Sequence, residues 1–462
     1  MTAAIEADII VIGGGAAGFA GALEAAERGA SVVLLEKQPE TGGSSAMSGG
    51  CLAFAGTDMQ RAQGIEDTAA LLARDLRQLG GDDADEALIE AYAANQLATY
   101  DWLKAHGQLF SPVLEASSGQ SVPRVHTVDP ADMVRLLAAR CLATGRVQLV
   151  TGMAGRRLRR DSATGRVTGV LAEGSAGPLE ARARRGVLLA SGGFSRNPDL
   201  VRQFAPECEH AVFIGGDGCV GDGLRMAWAL GADLRDMAQI KGTFGKHPTD
   251  ELNNHSCLCV YKGAIAVNQD GRRFVDESLS YKLLGAACLR QPYGASFQIL
   301  DEPILRSGDN EVRILDFERR LEEGLFIQAD TIEELARQIE VPEAALVKTV
   351  ADYNAGVNAG EDREFSRKHL VHNHGALRRI ETAPFYAYPS TAAVYGTYCG
   401  LRVDPEMRVL DVFGERIEGL FAAGEVVGGF HGRAYMTGSA LGKALVFGRI
   451  AARTAVGANS GG

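Results

Sequence analysis

The feature that most constrains the fold of this chain is a glycine turn near its start. The turn runs from Gly13 to Gly18, between an apolar strand-like segment, Ile9–Ile12, and an alanine-rich helical segment, Phe19–Arg28. The strand-like segment that follows ends at Glu36. A glycine turn between strand and helix, with an acidic residue closing the next strand, is the context in which this motif binds a dinucleotide. The segment therefore predicts the βαβ unit of a Rossmann-type domain.

Each of these positions has an expected role in nucleotide binding. Gly13 permits the tight turn, Gly15 lets the backbone approach a pyrophosphate, and Gly18 lets the helix pack on the strand. The helix begins near Ala17, where free N–H groups and a positive partial charge favour phosphate. Glu36 is expected to accept hydrogen bonds from the adenosine ribose. The alternative is a glycine turn that binds no nucleotide.

A second loop rich in glycine and serine, Thr41 to Gly50, indicates FAD and not NAD. The fingerprint alone does not separate the two cofactors. A short loop directly after the ribose-binding strand can wrap the middle of an extended FAD and present N–H groups to the flavin ring. The alternative is a flexible loop without a ligand.

Three later segments agree with a flavin. Leu188–Ser191 is a strand that runs into two glycines, and Gly419–Ala423 is a strand that leads to Glu425, a candidate partner of the ribityl hydroxyls. Gly438–Gly442 opens the last helix, whose positive end would stabilise the negative charge of a reduced flavin. Each segment alone is compatible with an ordinary turn. The complete set of predicted cofactor residues is Gly13, Gly15, Ala17, Gly18, Glu36, Lys37, Gly43, Ser44, Ser45, Gly49, Gly50, Ala154, Ser191, Gly192, Gly193, Asp222, Glu425, Ser439, Ala440 and Leu441.

Composition narrows the class of protein further. The net charge of −11 over 462 residues argues against nucleic acid or an anionic membrane as the main partner. The eight cysteines are scattered, with no C-x-x-C pair, which excludes attached c-type haem and disfavours a built-in iron–sulfur cluster. Electrons are therefore expected to pass to a diffusible or separate-protein acceptor. No apolar run reaches the length of a transmembrane segment and no secretory signal is evident, so a cytoplasmic protein is expected.

The order of predicted elements favours an α/β fold in which one domain is formed by two separate segments of the chain. Residues 57–146 show helical periodicity, and strands return after residue 147. We predict a Rossmann-type FAD-binding domain, a mixed sheet with helices, in residues 1–237 and 382–462. An inserted α+β capping domain is expected in residues 238–381.

Several of these motifs, in this order, resemble the fumarate reductase and 3-ketosteroid dehydrogenase superfamily of flavoproteins. The shared segments span most of the chain: the fingerprint with Glu36, the Gly42–Gly50 loop, Ser191-Gly192-Gly193, Gly221-Asp222-Gly223, Val267–Glu277 and Ala423-Gly424-Glu425. The resemblance implies FAD chemistry at a carbon–carbon bond and a mobile cap over the flavin. It also implies non-covalent FAD, because the Gly42–Gly50 loop lacks the histidine by which some members attach the cofactor.

Departures from the fumarate reductase pattern point to one branch of that superfamily. The arginines that donate a proton and clamp a dicarboxylate in fumarate reductases align with Tyr281 and Tyr435, and a substrate-binding histidine aligns with Gly396. Only His247 matches the fumarate reductase pattern. Phenols do not replace guanidinium groups at a carboxylate, although Arg433 is a candidate for binding a monocarboxylate. The segment Tyr435–Gly438 resembles that of 3-ketosteroid Δ4-(5α)-dehydrogenases, the branch to which the chain is most similar.

By analogy with that branch, Tyr281 and Tyr435 are the predicted catalytic residues, and Thr437, Gly438 and His247 the predicted substrate-binding residues. Tyr435 would hold a ketone oxygen, and Tyr281 would take the α proton while the β hydride goes to flavin N5. The expected activity is introduction of a C=C bond beside a cyclic ketone, steroid or smaller. The alternatives are reduction of an unsaturated acid, as in fumarate or urocanate reductases, and an electron-transfer flavoprotein. No carboxylate cluster accompanies His369, His372 and His374, so this segment is interpreted as a polar loop and no metal site is predicted.

Overall fold

The computed structural model of the protein describes residues 3–457 except 118, 241, 250–254, 311 and 371–374. The strands are β1 (Ala3–Ile12), β2 (Val32–Leu35), β3 (Cys51–Ala53), β4 (Leu114–Glu115), β5 (Val125–Thr127), β6 (Val147–Val150), β7 (Met153–Arg160), β8 (Val167–Gly174), β9 (Gly177–Leu189), β10 (Val212–Phe213), β11 (Leu234–Arg235), β12 (Thr243–Lys246), β13 (Ile265–Val267), β14 (Ala295–Asp301), β15 (Ile327–Ala329), β16 (Phe385–Val394), β17 (Gly400–Leu401), β18 (Arg408–Leu410) and β19 (Arg416–Ala422).

The helices of the same residues are α1 (Ala16–Glu27), α2 (Gly43–Met47), α3 (Asp58–Ala62), α4 (Ala69–Gly80), α5 (Glu86–Ala105), α6 (Pro130–Ala143), α7 (Pro198–Phe204), α8 (Asp222–Trp228), α9 (Tyr281–Leu289), α10 (Glu302–Leu305), α11 (Phe317–Glu322), α12 (Ile332–Gln338), α13 (Glu343–Ala359) and α14 (Ser439–Gly457).

The chain divides into two compact units. The first comprises Met1–Ala205, Gly215–Ile240 and Gly396–Gly462, and the second Pro206–Ile214 and Lys241–Tyr395. The sequence prediction places the inserted domain at residues 238–381, whereas the second compact unit takes in Lys241–Tyr395 together with Pro206–Ile214. The physical reason is strand β16, which pairs with β14 over seven residues and therefore belongs to the second unit.

The first unit is built on an eight-stranded sheet with the order β18-β19-β9-β1-β2-β6, to which the hairpin β7–β8 is attached at β9. Strand β1 is parallel to both β2 and β9, and β9 is parallel to β19. Parallel strands bring their carboxyl ends to the same edge of a sheet, where open α/β sheets bind ligands. Ile12, Leu35, Leu189 and Ala422 end these four strands at that edge.

Two helices of the first unit approach so closely that only glycine fits between them. An added Cβ at Gly448 of α14 would lie 2.4 Å from the carbonyl oxygen of Ala17 in α1, and one at Gly21 would lie 2.6 Å from Leu188 of the sheet. A buried ion pair joins the same helices, with Arg449 Nε donating to Glu24 Oε2 at 2.7 Å. The sequence segments at the start and the end of the chain therefore form one core.

The helical prediction for residues 57–146 holds for α3 to α6 but misses a small sheet. Strands β3, β5 and β4 form a three-stranded antiparallel sheet in that order. Strands of two or three residues carry too little periodicity to be recognised in sequence. Buried Arg124 fixes this region by pairing with Asp67 and Asp75, each at 2.7 Å.

The second unit contains a six-stranded sheet in which β10, β16, β14 and β13 are neighbours and β12 and β15 also pair with β16. Its core includes a buried ionic cluster around Glu277. Arg273 forms hydrogen bonds to both carboxylate oxygens of Glu277, at 2.9 and 2.6 Å, and Arg367 approaches the same carboxylate at 3.2 Å. The shared segment Val267–Glu277 thus has a structural role in this unit.

The contact between α1 and α14 gives a test of the fold. We expect Gly448→Ala to lower the free energy of unfolding by about 1–3 kcal/mol, because an added methyl group collides with the Ala17 carbonyl and overpacks the interface. Thermal and denaturant unfolding measure the effect. Gly457→Ala is the matched control on the same helix, since no atom lies within 4 Å of its added Cβ; an equal loss in both variants contradicts the interpretation.

Candidate functional site

A cleft lies along the edge of the large sheet where the parallel strands end. It holds about 1110 Å³ of space, part of it open to solvent, and it belongs entirely to the first unit. Of the predicted cofactor residues, the ones that line this cleft are Gly13, Gly15, Ala17, Glu36, Lys37, Gly43, Ser44, Ser45, Ser191, Gly192, Asp222, Glu425, Ala440 and Leu441. The separate sequence motifs are thus brought to one continuous surface.

The glycine turn follows β1 at this edge and has no room for side chains. Gly13 has a φ of 111°, and an added Cβ would lie 2.3 Å from the carbonyl oxygen of Ala190. An added Cβ at Gly18 would lie 1.9 Å from the Gly13 carbonyl oxygen. Gly13 and Gly18 therefore have the turn and packing roles that the fingerprint predicts.

Glu36 holds the glycine turn in place as well as facing the cleft. Its Oε2 accepts a hydrogen bond from the Gly14 N–H at 2.7 Å, and its Oε1 accepts one from the Gln38 N–H at 2.8 Å. Next to it, Lys37 Nζ donates to Asp222 Oδ2 at 2.7 Å, which ties the second strand to the start of α8. The acidic residue is therefore an organiser of the turn in the described structure.

The second glycine loop forms the short helix α2, and its serines anchor it. Ser45 Oγ accepts a hydrogen bond from the Ala16 N–H at 3.1 Å, and Ser44 Oγ accepts one from the Gly216 N–H at 2.9 Å. Ser44 Oγ also lies 3.2 Å from Cys219 Sγ. The loop is thus fixed to the fingerprint helix, contrary to the alternative of a loose loop, and two of the predicted ligand hydroxyls already have protein partners.

Glu425 is a partly buried carboxyl group that lines the cleft just after β19. Its Oε1 accepts a hydrogen bond from the Thr397 N–H at 2.8 Å. Burial raises the pKa of Glu425, while this hydrogen bond and the Lys443 ammonium act to lower it. Glycines at 193 and 396 make room for the carboxylate, because an added Cβ would lie 2.4 Å and 3.0 Å from Oε1, respectively.

Six predicted cofactor residues do not line the cleft, and packing explains most of them. Gly18 and Gly50 have carbonyl groups 1.9 Å from an added Cβ, and Gly193 faces Thr397 and Glu425. Ala154 lies between two residues that do line the cleft, as expected where neighbouring residues of a strand face opposite sides. Ser439 is buried, and its hydroxyl donates a hydrogen bond to the Met436 carbonyl in the turn before α14. Gly49 is not among the residues that line the cleft.

Other lining residues were not singled out from the sequence. They are Ile12, Gly14, Ala16, Leu35, Gln38, Glu40, Gly42, Ser48, Met153, Gly155, Ala190, Asp217, Gly218, Cys219, Gly424 and Ala444. Several of them, such as Gly14, Gly42 and Gly424, lie inside motifs recognised in the sequence, so the motif was found but the individual lining residue was not. Met153, Gly155 and Cys219 carry no local signal, because only the pairing of strands and the packing of loops brings them to the edge.

These residues fit a dinucleotide flavin. The cleft is lined mainly by glycine, alanine and serine at the strand ends, next to the N-terminus of α1, where free N–H groups favour phosphate. Ser191 Oγ is buried and has no hydrogen-bond partner among the described residues, a group that a ligand can satisfy. The carboxylates of Glu36 and Glu425 line different parts of the cleft, where they could accept hydrogen bonds from the hydroxyl groups of the cofactor.

A cluster of aromatic residues precedes α14 in the first unit. The ring of Tyr435 packs on Tyr398 at 5.1 Å and on His431 at 5.5 Å between centroids. The Tyr435 hydroxyl oxygen accepts a hydrogen bond from the Gly438 N–H at 3.2 Å. Ser439 Oγ donates a hydrogen bond to the Met436 carbonyl oxygen at 2.7 Å. Because its proton is used there, the same oxygen accepts a hydrogen bond from His431 Nε2, which lies 3.0 Å away. His431 therefore helps to fix the turn that carries Tyr435.

Thr437 is fixed by hydrogen bonds from residues of the segment that follows α5. Ser117 Oγ donates to Thr437 Oγ1 at 3.1 Å, and Gln120 Nε2 donates to the Thr437 carbonyl at 2.9 Å. Gly438 has a φ of 87°, and an added Cβ there would lie 2.8 Å from the Ala53 nitrogen. The predicted substrate-binding residues Thr437 and Gly438 thus form one rigid turn with Tyr435.

The two other predicted substrate residues lie in the second unit. Tyr281 is the first residue of α9, after the cap residue Ser280, and Lys282 Nζ lies 5.9 Å from its ring centroid. His247 follows β12; its Nδ1 is 2.8 Å from Thr249 Oγ1, and its ring packs edge-on against Tyr388 at 5.5 Å. His372 and His374 fall outside the described residues.

Two kinds of feature are absent from the described part of the chain. No group of three or more His, Cys, Asp and Glu side chains there is arranged to hold a metal ion. None of its helices combines the length and the apolar character needed to cross a membrane.

Comparison with known proteins places this site in a family. The model of the FAD binding domain family matches residues 8–441. A fumarate reductase (cytochrome) of Shewanella frigidimarina is 30% identical to this chain, and the match covers 97% of this chain and 76% of the relative. A vinyl phenol reductase of Lactiplantibacillus plantarum is 28% identical, and the match covers 97% of this chain and 96% of that relative. The crystal structure of 3-ketosteroid Δ4-(5α)-dehydrogenase from Rhodococcus jostii RHA1 with 4-androstene-3,17-dione shares 27% identity and a TM-score of 0.80, covering 98% of this chain and 97% of the other.

The chain belongs to the FAD binding domain family, within the flavoprotein superfamily that includes fumarate reductases and 3-ketosteroid dehydrogenases. Its cofactor is FAD, and it is an oxidoreductase that acts on carbon–carbon bonds. The predicted superfamily, fold class and cofactor are thereby confirmed. When bound, FAD supplies a two-electron acceptor or donor for hydride.

The two hydrogen bonds of Glu36 give a test of the cleft. We expect Glu36→Ala to weaken FAD binding at least tenfold, because the glycine turn loses its charged acceptor and the cofactor loses a hydroxyl partner. Titration of the apoprotein with FAD, followed by flavin fluorescence, measures the dissociation constant. Glu40→Ala is the control in the same loop, since Glu40 is exposed at the cleft margin; a comparable loss in both variants contradicts a special role for Glu36.

Proposed function

We propose that this enzyme is an FAD-dependent dehydrogenase that introduces a C=C bond α,β to the ketone of a cyclic substrate, a 3-ketosteroid or a smaller ring. The observation that carries the proposal is the turn Tyr435–Gly438, in which the Gly438 N–H fixes the Tyr435 hydroxyl next to the helix that lines the cofactor cleft. Donors of this kind stabilise the negative charge that develops on a carbonyl oxygen.

Tyr435 would bind the ketone oxygen and stabilise the enolate that forms when the α proton leaves. Its ring is fixed by Tyr398 and His431, so the hydroxyl direction is set before substrate arrives. The Gly438 N–H donates to the same hydroxyl oxygen, which favours donation of the Tyr435 proton to a substrate. Preorganised donors avoid a cost of reorganisation during the reaction.

Tyr281 would take the α proton as a phenolate, and the β hydrogen would leave as hydride to the flavin. One C–H pair of electrons becomes the new π bond, and the other reduces the cofactor. Tyr281 stands at the positive N-terminus of α9, and the buried Lys282 ammonium lies 5.9 Å from its ring. Thr243 Oγ1 fixes this ammonium by accepting its hydrogen bond at 2.6 Å.

The position of Arg433 favours a ketone over a carboxylate. Arg433 is the arginine closest in sequence to Tyr435, but it is exposed and its side chain lies over Gly81, where an added Cβ would meet Nε at 2.7 Å. A clamp for a carboxylate needs a guanidinium fork directed at the substrate. His247, held by Thr249, is proposed as a further hydrogen-bonding group for a substrate oxygen.

The second candidate function is reduction of an activated C=C bond, with an unsaturated acid as substrate. The relatives named above as reductases favour this direction. Under this alternative Tyr281 would give a proton instead of taking one. In either direction a diffusible or separate-protein redox partner would exchange electrons with the flavin.

Anaerobic reduction of the bound flavin distinguishes the two candidates. Mixing the holoprotein with a panel of steroid ketones, smaller cyclic ketones, succinate and related saturated acids should bleach the flavin absorbance only with a ketone. Bleaching by a saturated acid and by none of the ketones contradicts the proposal. Reoxidation of the chemically reduced enzyme by an unsaturated acid alone would support the second candidate.

Two conservative variants test the proposed tyrosines. With a substrate that bleaches the flavin, Tyr281→Phe should lower the rate of flavin reduction by roughly 10²–10⁴-fold, because the general base is lost. Tyr435→Phe should lower it by about 10²–10³-fold through loss of one oxyanion donor. Stopped-flow absorbance measures both rates. Tyr293→Phe, at an exposed tyrosine of the second unit, is the control; full activity of Tyr281→Phe excludes the proposed base.

A further inference from the structure

Gln120 links the two segments that meet beside the proposed oxyanion donor. Its Oε1 accepts a hydrogen bond from the Ser117 N–H at 3.1 Å, and its Nε2 donates one to the Thr437 carbonyl oxygen at 2.9 Å. A backbone N–H can only donate and a carbonyl oxygen can only accept, so these two partners fix the orientation of the side-chain amide. The donor end of Gln120 is therefore directed at the turn that carries Tyr435.

The Thr437 carbonyl and the Gly438 N–H belong to one planar peptide group. The carbonyl oxygen accepts the hydrogen bond from Gln120, and the N–H donates to the Tyr435 hydroxyl oxygen at 3.2 Å. A hydrogen bond to the carbonyl oxygen polarises the peptide group and strengthens donation by its N–H. Starting at the Ser117 N–H, the hydrogen bonds thus run in one direction and end at the hydroxyl oxygen of Tyr435.

The segment that carries Gln120 is anchored on α4. Asp75 Oδ2 accepts hydrogen bonds from the Ser121 N–H at 3.0 Å and from the Ser121 hydroxyl at 2.6 Å. Gly119 lies so close to the same helix that an added Cβ would be 1.9 Å from a methyl carbon of Leu79. The position of Gln120 is therefore fixed by contacts outside the turn with which it forms its hydrogen bond.

We propose that Gln120 is a positioning residue for the reaction: through the Thr437–Gly438 peptide group it fixes the hydroxyl of Tyr435 and makes this hydroxyl a better donor to the substrate oxygen. That oxygen gains negative charge as the α proton leaves, so a preorganised donor lowers the barrier. Gln120 acts through the peptide group and needs no contact with the substrate. The inference rests on the function proposed above, because that function assigns the Tyr435 hydroxyl to a substrate oxygen.

Gln120→Glu is the variant that separates the two ends of this side chain. A glutamate keeps an acceptor for the Ser117 N–H but, when ionised, has no donor for the Thr437 carbonyl. We expect the limiting rate of flavin reduction to fall about tenfold, with a smaller change in the substrate dissociation constant, because the charge on the substrate oxygen develops in the transition state. Stopped-flow absorbance at several substrate concentrations measures both quantities.

The matched control is Gln63→Glu. Gln63 is exposed in the first unit, and its Nε2 also donates to a backbone carbonyl, that of Pro112, at 2.9 Å. The same substitution there removes a bond of the same kind without any link to Tyr435, so the wild-type rate is expected. An equal loss in both variants contradicts the proposal.

A double-mutant cycle with Tyr435→Phe tests whether the effect passes through the hydroxyl. Once that hydroxyl is absent, adding Gln120→Glu should lower the rate by no more than about twofold. A tenfold loss that persists in the Tyr435→Phe background means that Gln120 only supports the fold of the turn, and it overturns the proposal. Wild-type rates in Gln120→Glu with slow rates in Gln120→Met, which lacks both hydrogen bonds, confine its role to the Ser117 segment and overturn the proposal as well.

A measurement without substrate separates failure of this inference from failure of the proposed function. Hydrogen exchange of the folded holoprotein, followed by mass spectrometry over residues 434–442, reports on the Gly438 N–H. Exchange should be about tenfold faster in Gln120→Glu than in the wild type and unchanged in Gln63→Glu; equal exchange in all three proteins overturns the proposal. If a saturated acid and no ketone bleaches the flavin, the proposed dehydrogenation of a ketone fails, whereas the rates of the Gln120 variants are still compared with that acid.

Discussion

The parallel pairing of β1 with β2 and β9 is the constraint on which the rest of the first unit depends. Because these strands run in the same direction, the turns that follow Ile12, Leu35 and Leu189 all lie at one edge of the sheet. The backbone hydrogen bonds continue past the strands: the Gly13 N–H donates to the Leu35 carbonyl, and the Ala190 N–H donates to the Ile12 carbonyl. The turns are therefore so close that only glycine fits where they meet, and the cofactor cleft lies beside that contact.

Several residues that resemble ligand groups are first of all parts of the scaffold. Both carboxylate oxygens of Glu36 accept backbone N–H groups, and the hydroxyls of Ser44 and Ser45 anchor their loop. Likewise, Arg273 in the second unit pairs with buried Glu277 instead of facing a substrate. A motif shared across a family of flavoproteins can thus preserve the shape of a site without touching the reacting atoms.

Electrostatics distinguish the two acidic walls of the cleft. Both carboxylate oxygens of Glu36 accept hydrogen bonds from backbone N–H groups, whereas Glu425 Oε1 accepts one from the Thr397 N–H and burial raises the pKa of this carboxyl group. A buried carboxylate is costly without such partners.

The sequence by itself determined the cofactor class, because the spacing of Gly13, Gly15 and Gly18 and of Glu36 follows from local backbone geometry that a short segment can encode. It also identified the segment Tyr435–Gly438, whose turn is local. The extent of the second unit depends on the pairing of β16 with β14, two strands far apart in the sequence. The sequence did not reveal Met153 or Cys219 as lining residues, or the position of Arg433 over Gly81. These depend on contacts between distant segments, and only the tertiary structure brings such segments together.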